Sequence, residues 1–152
     1  MPEPPFPHDN PLFRFFRIGN SMRQLVGRAV EGSGVSQDEY GVLSGIISQG
    51  RISPTELAAK LGVPPTTISV YLARFLERGL IRRLPNPDDG RSYLVEPTEK
   101  GLDVARYVGP RLRVEAEAVL AASDISYEQL MDALGALEAA TKAALDANTT
   151  NV

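Results

Sequence analysis

A mainly α chain with one small β-hairpin (α+β) is what the sequence predicts, and three features carry that expectation. Apolar residues recur at helical spacing through most of the 152 residues. Capping boxes punctuate those runs, and a single dense turn, Pro85-Asn-Pro-Asp-Asp-Gly90, separates two short alternating segments. With 43% hydrophobic and 23% charged residues, the chain has the balance of a globular domain. No apolar run approaches the ~18–20 residues that cross a bilayer, and the N-terminus lacks the basic and apolar regions of a secretion signal. No membrane partner and a cytoplasmic location are therefore expected.

Five prolines among the first eleven residues make residues 1–10 an extended Pro-rich arm, unable to start a helix before Pro11. Over residues 11–30, Phe15, Ile18, Met22, Leu25 and Ala29 follow helical spacing, with Arg14, Arg17, Arg23 and Arg28 off that stripe. Ser36 and Glu39 form a capping box, so a second helix follows with Tyr40, Leu43 and Ile47 inward, ending at Gln49-Gly50. Arg51-Ile52 allows only a very short strand. Ser53-Pro54-Thr55-Glu56 repeats the box with proline at the first helical position, and Leu57, Ala58 and Leu61 make the inner face.

After Val63-Pro64-Pro65, a helix over about residues 66–78 carries Ile68, Tyr71, Leu72 and Phe75 inward and stops at Gly79. Residues 80–84 and 91–96 read as the strands of the hairpin. Thr98 is placed to cap a long helix carrying Leu102, Ala105, Val108, Leu112, Ala116 and Val119, which Gly109-Pro110 is expected to bend or interrupt. Ser126 and Gln129 open a last helix with Tyr127, Leu130, Leu134, Leu137 and Leu145, and residues 147–152 read as a frayed tail.

Charge is distributed unevenly. The net charge is −3, yet residues 51–100 carry eight Lys/Arg against six Asp/Glu, so the central segment is basic within an acidic chain. Zero cysteines exclude disulfides, thiolate metal sites and catalytic thiols. The single histidine, His8, falls in the arm, and neither a phosphate loop nor a metal-spaced ligand set is present. No enzymatic activity, cofactor or metal is expected.

Two short helices joined by a tight turn and followed by a hairpin are the order of a winged helix-turn-helix. Within residues 53–101, Phe75, Gly79, Leu80, Arg83, Asp89, Arg91, Thr98 and Gly101 stand in a set order: a threonine-containing helix ending Phe-x-x-x-Gly-Leu, an Asp-x-Arg in the wing, and Thr-x-x-Gly opening the next helix. This stretch resembles the DNA-binding lobe of the MarR (multiple antibiotic resistance regulator) family of bacterial transcription factors.

The resemblance implies a single domain over residues 11–146. A winged-helix lobe at 36–97 would be flanked by dimerisation helices at 11–30 and 98–146, interlocking two copies over a pseudo-palindromic duplex. It implies a transcriptional regulator, expected to be a repressor, with double-stranded DNA and a second copy of the chain as partners. A small aromatic or anionic effector is also implied, with the arginines of the first helix beside Phe13, Phe15 and Phe16 as candidate lining. The alternatives are a winged-helix protein-interaction module or a small-ligand-binding dimer without DNA binding.

With Ile68, Leu72 and Phe75 inward, Thr66, Thr67, Ser69, Val70 and Arg74 fall outward on the recognition helix. Hydroxyls bond phosphates or bases, and Thr and Val methyls suit the thymine methyl. Arg74 fits either a phosphate contact or a solvated helix position. With no long bidentate donor in the first turns, direct base reading is expected to be modest. By resemblance Arg91 enters the minor groove and Asp89 orients it by an ion pair. Ser53 and Arg83 complete the candidate DNA-binding set, with Arg51 and Arg82 suited to backbone contacts.

Overall fold

Asn10 opens the first helix: its side-chain oxygen accepts from the Leu12 N–H at 2.9 Å, and Pro11 takes the first helical position. The computed structural model describes residues 10–149. Residues 1–9 of the expected arm, including His8, and residues 150–152 of the expected tail lie outside the described residues. The elements are α1 (Pro11–Val30), α2 (Gln37–Gln49), α3 (Pro54–Leu61), α4 (Pro65–Glu77), β1 (Ile81–Pro85), β2 (Tyr93–Pro97), α5 (Glu99–Ala121) and α6 (Tyr127–Thr149).

Three capping boxes form as the sequence suggests. The Ser36 N–H donates to Glu39 and the Glu39 N–H to the Ser36 hydroxyl, at 2.8 and 3.2 Å. Ser53 and Glu56 exchange the same bonds at α3, as do Ser126 and Gln129 at α6. Each satisfies two backbone donors that a bare helix start would leave unpaired. By contrast α4 begins at Pro64 with no side-chain cap.

β1 and β2 pair antiparallel with Ile81 opposite Pro97 and Arg83 opposite Val95, and Ile52 adds an isolated bridge to Val95. The strands sit one to two residues later than the alternation alone suggests, because Asn86 and Asp89 organise the turn. The Asn86 amide donates to the Ser92 hydroxyl at 2.8 Å, and the Ser92 N–H donates to the Asp89 carbonyl at 3.0 Å.

The chain forms two compact units, one ending at Arg113 and one beginning at Val114. The division falls inside α5, whose first turns belong to the first unit's core. Leu43, Ile46, Leu57, Ile68, Leu72, Phe75, Leu80, Ile81, Val95 and Val108 are fully buried there. Ile46, not Ile47, points furthest inward from α2. α5 also runs through Pro110 without interruption. Near the place where Pro110 supplies no N–H, the Arg111 guanidinium donates to the Tyr107 carbonyl at 2.8 Å. α6 continues to Thr149, past the expected start of the tail at residue 147.

Much of the apolar stripe of α1 is open. Phe15, Ile18 and Met22 are exposed, as are Leu12, Phe13 and Phe16 beside it, and α1 reaches the core through Ala29 and Val30. Taken by itself, the second unit exposes Tyr127, Met131, Leu134, Leu137 and Leu145 along α6.

One backbone approach fixes where α5 begins. A Cβ on Gly101 would lie 2.2 Å from the Leu80 carbonyl oxygen, far inside van der Waals contact. Gly101→Ala should therefore destabilise the fold by about 3 kcal/mol, the upper end for overpacking, since the obstacle is backbone. Gly41→Ala, with open space around it, should stabilise by about 0.5–1 kcal/mol through helix propensity. Urea unfolding midpoints of both variants against the parent test the pair; an unchanged midpoint for Gly101→Ala would remove the constraint.

Candidate nucleic-acid interface

Phe75, Leu72 and Ile68 anchor α4 in the core. Helical geometry then turns Thr66, Thr67, Val70 and Arg74 to the outside, and all four are exposed, Val70 by 51%. The Arg74 side chain has no partner among the described residues. Ser69 is exposed too, but its hydroxyl donates to the Pro65 carbonyl at 2.9 Å, which leaves it only accepting capacity. The uncapped start of α4 carries no acidic residue in its first turn, so its partial positive charge is not cancelled locally.

The far end of α4 is held from several sides. Gly79 adopts φ 67°, the Thr98 hydroxyl donates to the Gly79 carbonyl at 2.6 Å, and Lys100 Nζ donates to the Arg78 carbonyl at 2.8 Å. Arg78 itself pairs with Glu39 at 3.3 Å and donates to the Gly34 carbonyl, tying α4 to the start of α2.

In the wing, Arg91 is exposed and its guanidinium has no partner among the described residues. Asp89 does not make the expected ion pair. Its carboxylate accepts the Arg91 backbone N–H at 3.0 Å, an Asx-type turn in which the short side chain reaches the backbone two residues on. Asp89 thus shapes the turn that carries Arg91 and leaves the guanidinium free. Arg83 lies over the Tyr93 ring at 3.6 Å.

Ser53 departs most from expectation. It is 9% exposed, and its hydroxyl donates to Glu56 at 2.7 Å while accepting the Glu56 N–H, so capping accounts for it and it is not presented for contact. Sequence reasoning missed Glu96, a buried acid at the wing base bonded to Arg51 and Arg82. Its only sequence signal is an acid set in a basic hairpin.

Among the described residues, two hollows adjoin α1. One of about 470 Å³ is lined by Arg14, Arg17, Ile18, Ser21 and Met22. The other, of about 430 Å³, lies between α1 and the start of α2 beside Arg23, Gly27 and Gln37. Gln37 Oε1 is buried without a hydrogen-bond partner there, and Arg23 pairs with Asp38 at 3.4 Å. Among the described residues, no helix is long and apolar enough to cross a membrane, and no cluster of metal-ligating side chains occurs.

The Arg51 and Arg82 guanidiniums, in that order, hold the Glu96 carboxyl below the ordinary carboxylate range, against the opposing effect of burial. A lowered folded-state value means that the stabilisation is complete above the unfolded value of 4.5 and is lost as pH falls through the folded one. The unfolding midpoint should therefore fall on acidification below about 4.5, and Glu96→Gln should flatten part of that decline. Identical acid limbs for parent and variant would refute this.

Comparison with known proteins places this geometry. The family model described as MarR family matches residues 33–92. The multiple antibiotic resistance protein MarR of Salmonella typhimurium is 34% identical over 92 residues, covering 60% of this chain and 64% of that protein. The match therefore spans a little under two thirds of that relative's length. Among solved structures, the Mycobacterium tuberculosis transcriptional regulator MOSR in complex with DNA superimposes with TM-score 0.75 at 25% identity, covering 90% of this chain and 98% of that one. The Streptomyces coelicolor PcaV transcriptional regulator in complex with its natural ligand gives TM-score 0.74 at 23% identity, covering 90% and 94%. Motif order, sequence match and backbone agree: the chain is similar to the MarR family over residues 33–92 and shares the fold of MarR-type regulators.

Proposed function

We propose that the protein is a DNA-binding transcriptional regulator that acts as a homodimer on a pseudo-palindromic duplex, in the cytoplasm. A repressor is the favoured form, since a bound dimer occludes the duplex it covers. The observation that carries the reading is the pairing of an exposed Thr66, Thr67, Val70 and Arg74 face on α4 with an unpartnered Arg91 at the wing. The relative crystallised with DNA supports it. Thr66, Thr67, Ser69 and Val70 would meet base edges, Arg74 and Arg83 the backbone, and Arg91 the minor groove, with Asp89 shaping the wing turn.

Dimerisation is supported by the exposed apolar residues of α1 and α6, more than a monomer of 16.5 kDa usually leaves in water. The hollows beside α1 are candidate effector sites, and the PcaV structure with its natural ligand supports a small-molecule release mechanism. No catalytic step is proposed.

Selection of bound duplexes from a random pool tests the reading directly, with an inverted repeat expected. Recovery of no enriched sequence, together with no duplex binding at moderate salt, would instead favour a protein-interaction or ligand-binding module. Light scattering should return twice the 16.5 kDa chain mass, and a monomeric mass at micromolar concentration would rule out the dimer.

Arg91→Ala should weaken duplex binding without lowering the melting temperature, and should lessen the slope of log K against log salt by about 1–2 units for two lost contacts per dimer. Val70→Ala should relax preference at one or two base pairs per half-site at an unchanged slope. Half-sites should lie about one helical turn, ~34–36 Å, apart, so inserting half a turn should cost affinity. If Val70→Ala leaves the selected motif intact, direct contact by this face is wrong.

A further inference from the structure

Glu96 lies in the middle of a row of three side chains. The Ile52–Val95 bridge sets residues 51–52 along one edge of β2, while β1 pairs Arg82 with Glu96 on the other. The carboxylate therefore receives an arginine from each side. Arg51 Nε donates to Oε2 at 2.7 Å and Arg82 Nε to Oε1 at 2.6 Å, with Arg82 Nη2 on the same oxygen. The Glu96 side chain is 10% exposed, yet both arginine side chains are 66% exposed.

One guanidinium is enough to neutralise one carboxylate. The second leaves the row with a surplus positive charge, and the bonds leave both Nη groups of Arg51 and Nη1 of Arg82 unengaged among the described residues. A guanidinium anchored through Nε has already given up much of its rotamer freedom while its remaining donors keep the planar geometry that suits a phosphate. A simple hairpin staple would need Arg82 alone. Arg51 is recruited from across β2, and what the extra cation adds is an outward-facing donor pair.

We propose that Glu96 is a positioning residue that holds Arg51 and Arg82 as paired donors to the phosphate backbone of the bound duplex, beside the wing. The inference rests on the DNA-binding reading above. Glu96 touches no phosphate and acts only through the two arginines. Its own charge opposes DNA binding, so its two effects differ in sign.

That difference makes the test decisive. Backbone contacts carry no sequence information, so fluorescence anisotropy with a mixed-sequence duplex of about three helical turns, ~30 base pairs, is a sufficient probe. Arg51→Ala and Arg82→Ala each also remove a Glu96 partner and so lower the melting temperature somewhat; measured well below that temperature, each should weaken binding several-fold and lessen the salt slope by about 2 units per dimer. Glu96→Gln should also weaken binding although it removes an acid from a DNA-binding surface, and Arg82→Ala should cost less in the Glu96→Gln background than in the parent. Tighter binding by Glu96→Gln with a steeper slope would mean that Glu96 acts by charge alone and would overturn the proposal. Should Glu96→Gln fail to fold, the two exposed arginines decide: unchanged affinity and slope in both overturn it. A parent that binds no duplex defeats the DNA-binding reading itself, an outcome distinct from any difference among variants.

Discussion

The close approach of α5 to the corner between α4 and β1 organises the first unit. Gly101 has no Cβ because the Leu80 carbonyl occupies that space. The Thr98 N–H donates to the same carbonyl at 3.0 Å, and the Thr98 hydroxyl donates to that of Gly79. Three elements thus meet mainly at backbone groups, with the short Thr98 hydroxyl beside them: the end of α4, the start of the wing and the first turn of α5. Backbone contacts of this kind have little room to relax, so the angle between α4 and the hairpin is set where the chain crosses itself. A bulkier residue at 101 would push α5 away and leave two carbonyls without donors.

Acidic side chains in this lobe serve mainly to hold basic or backbone groups in place. Glu39 caps α2 and pairs with Arg78, Glu56 caps α3, Asp89 shapes the wing turn, and Glu96 joins Arg51 to Arg82. Each of these acids is engaged within the protein, whereas Arg74 and Arg91 are left without protein partners among the described residues. The net charge of −3 therefore says little about how the proposed face would meet a polyanion, where the field comes from unengaged cations.

Legibility in the sequence followed the range of the interaction. Capping boxes and helix starts were readable because donor and acceptor lie three residues apart, and the inward face of α4 was readable because 3.6-residue periodicity fixes it. Ser53 misled because a serine before a helix serves equally well as a cap or as a phosphate donor, and only its burial separates the two. Asp89 misled because an aspartate near an arginine suggests an ion pair, while the tight turn brings the backbone N–H closer. The Arg51–Glu96 contact spans 45 positions and depends on a single β-bridge, which no local pattern encodes. Pro110 suggested a break, but a long helix tolerates one missing donor where its other turns are intact.

The same sequence pattern has two outcomes that periodicity alone cannot separate. Leu72 and Phe75 on α4 are buried, whereas Ile18 and Met22 on α1, equally regular in spacing, are 53% and 42% exposed. An amphipathic stripe specifies that a helix has an apolar side, not that its own chain covers it. α1 satisfies only its last turn within the first unit, through Ala29 and Val30, and its remaining stripe calls for a second surface. If that surface is another copy of the chain, the apolar residues that hold the dimer lie on the helix whose end packs into the core beneath α2. α2 is in turn joined to α4 by the Glu39–Arg78 pair. Relative placement of two recognition helices would then depend on α1 as well as on α4, so a ligand lodged beside α1 need not touch the DNA-facing residues to alter their spacing.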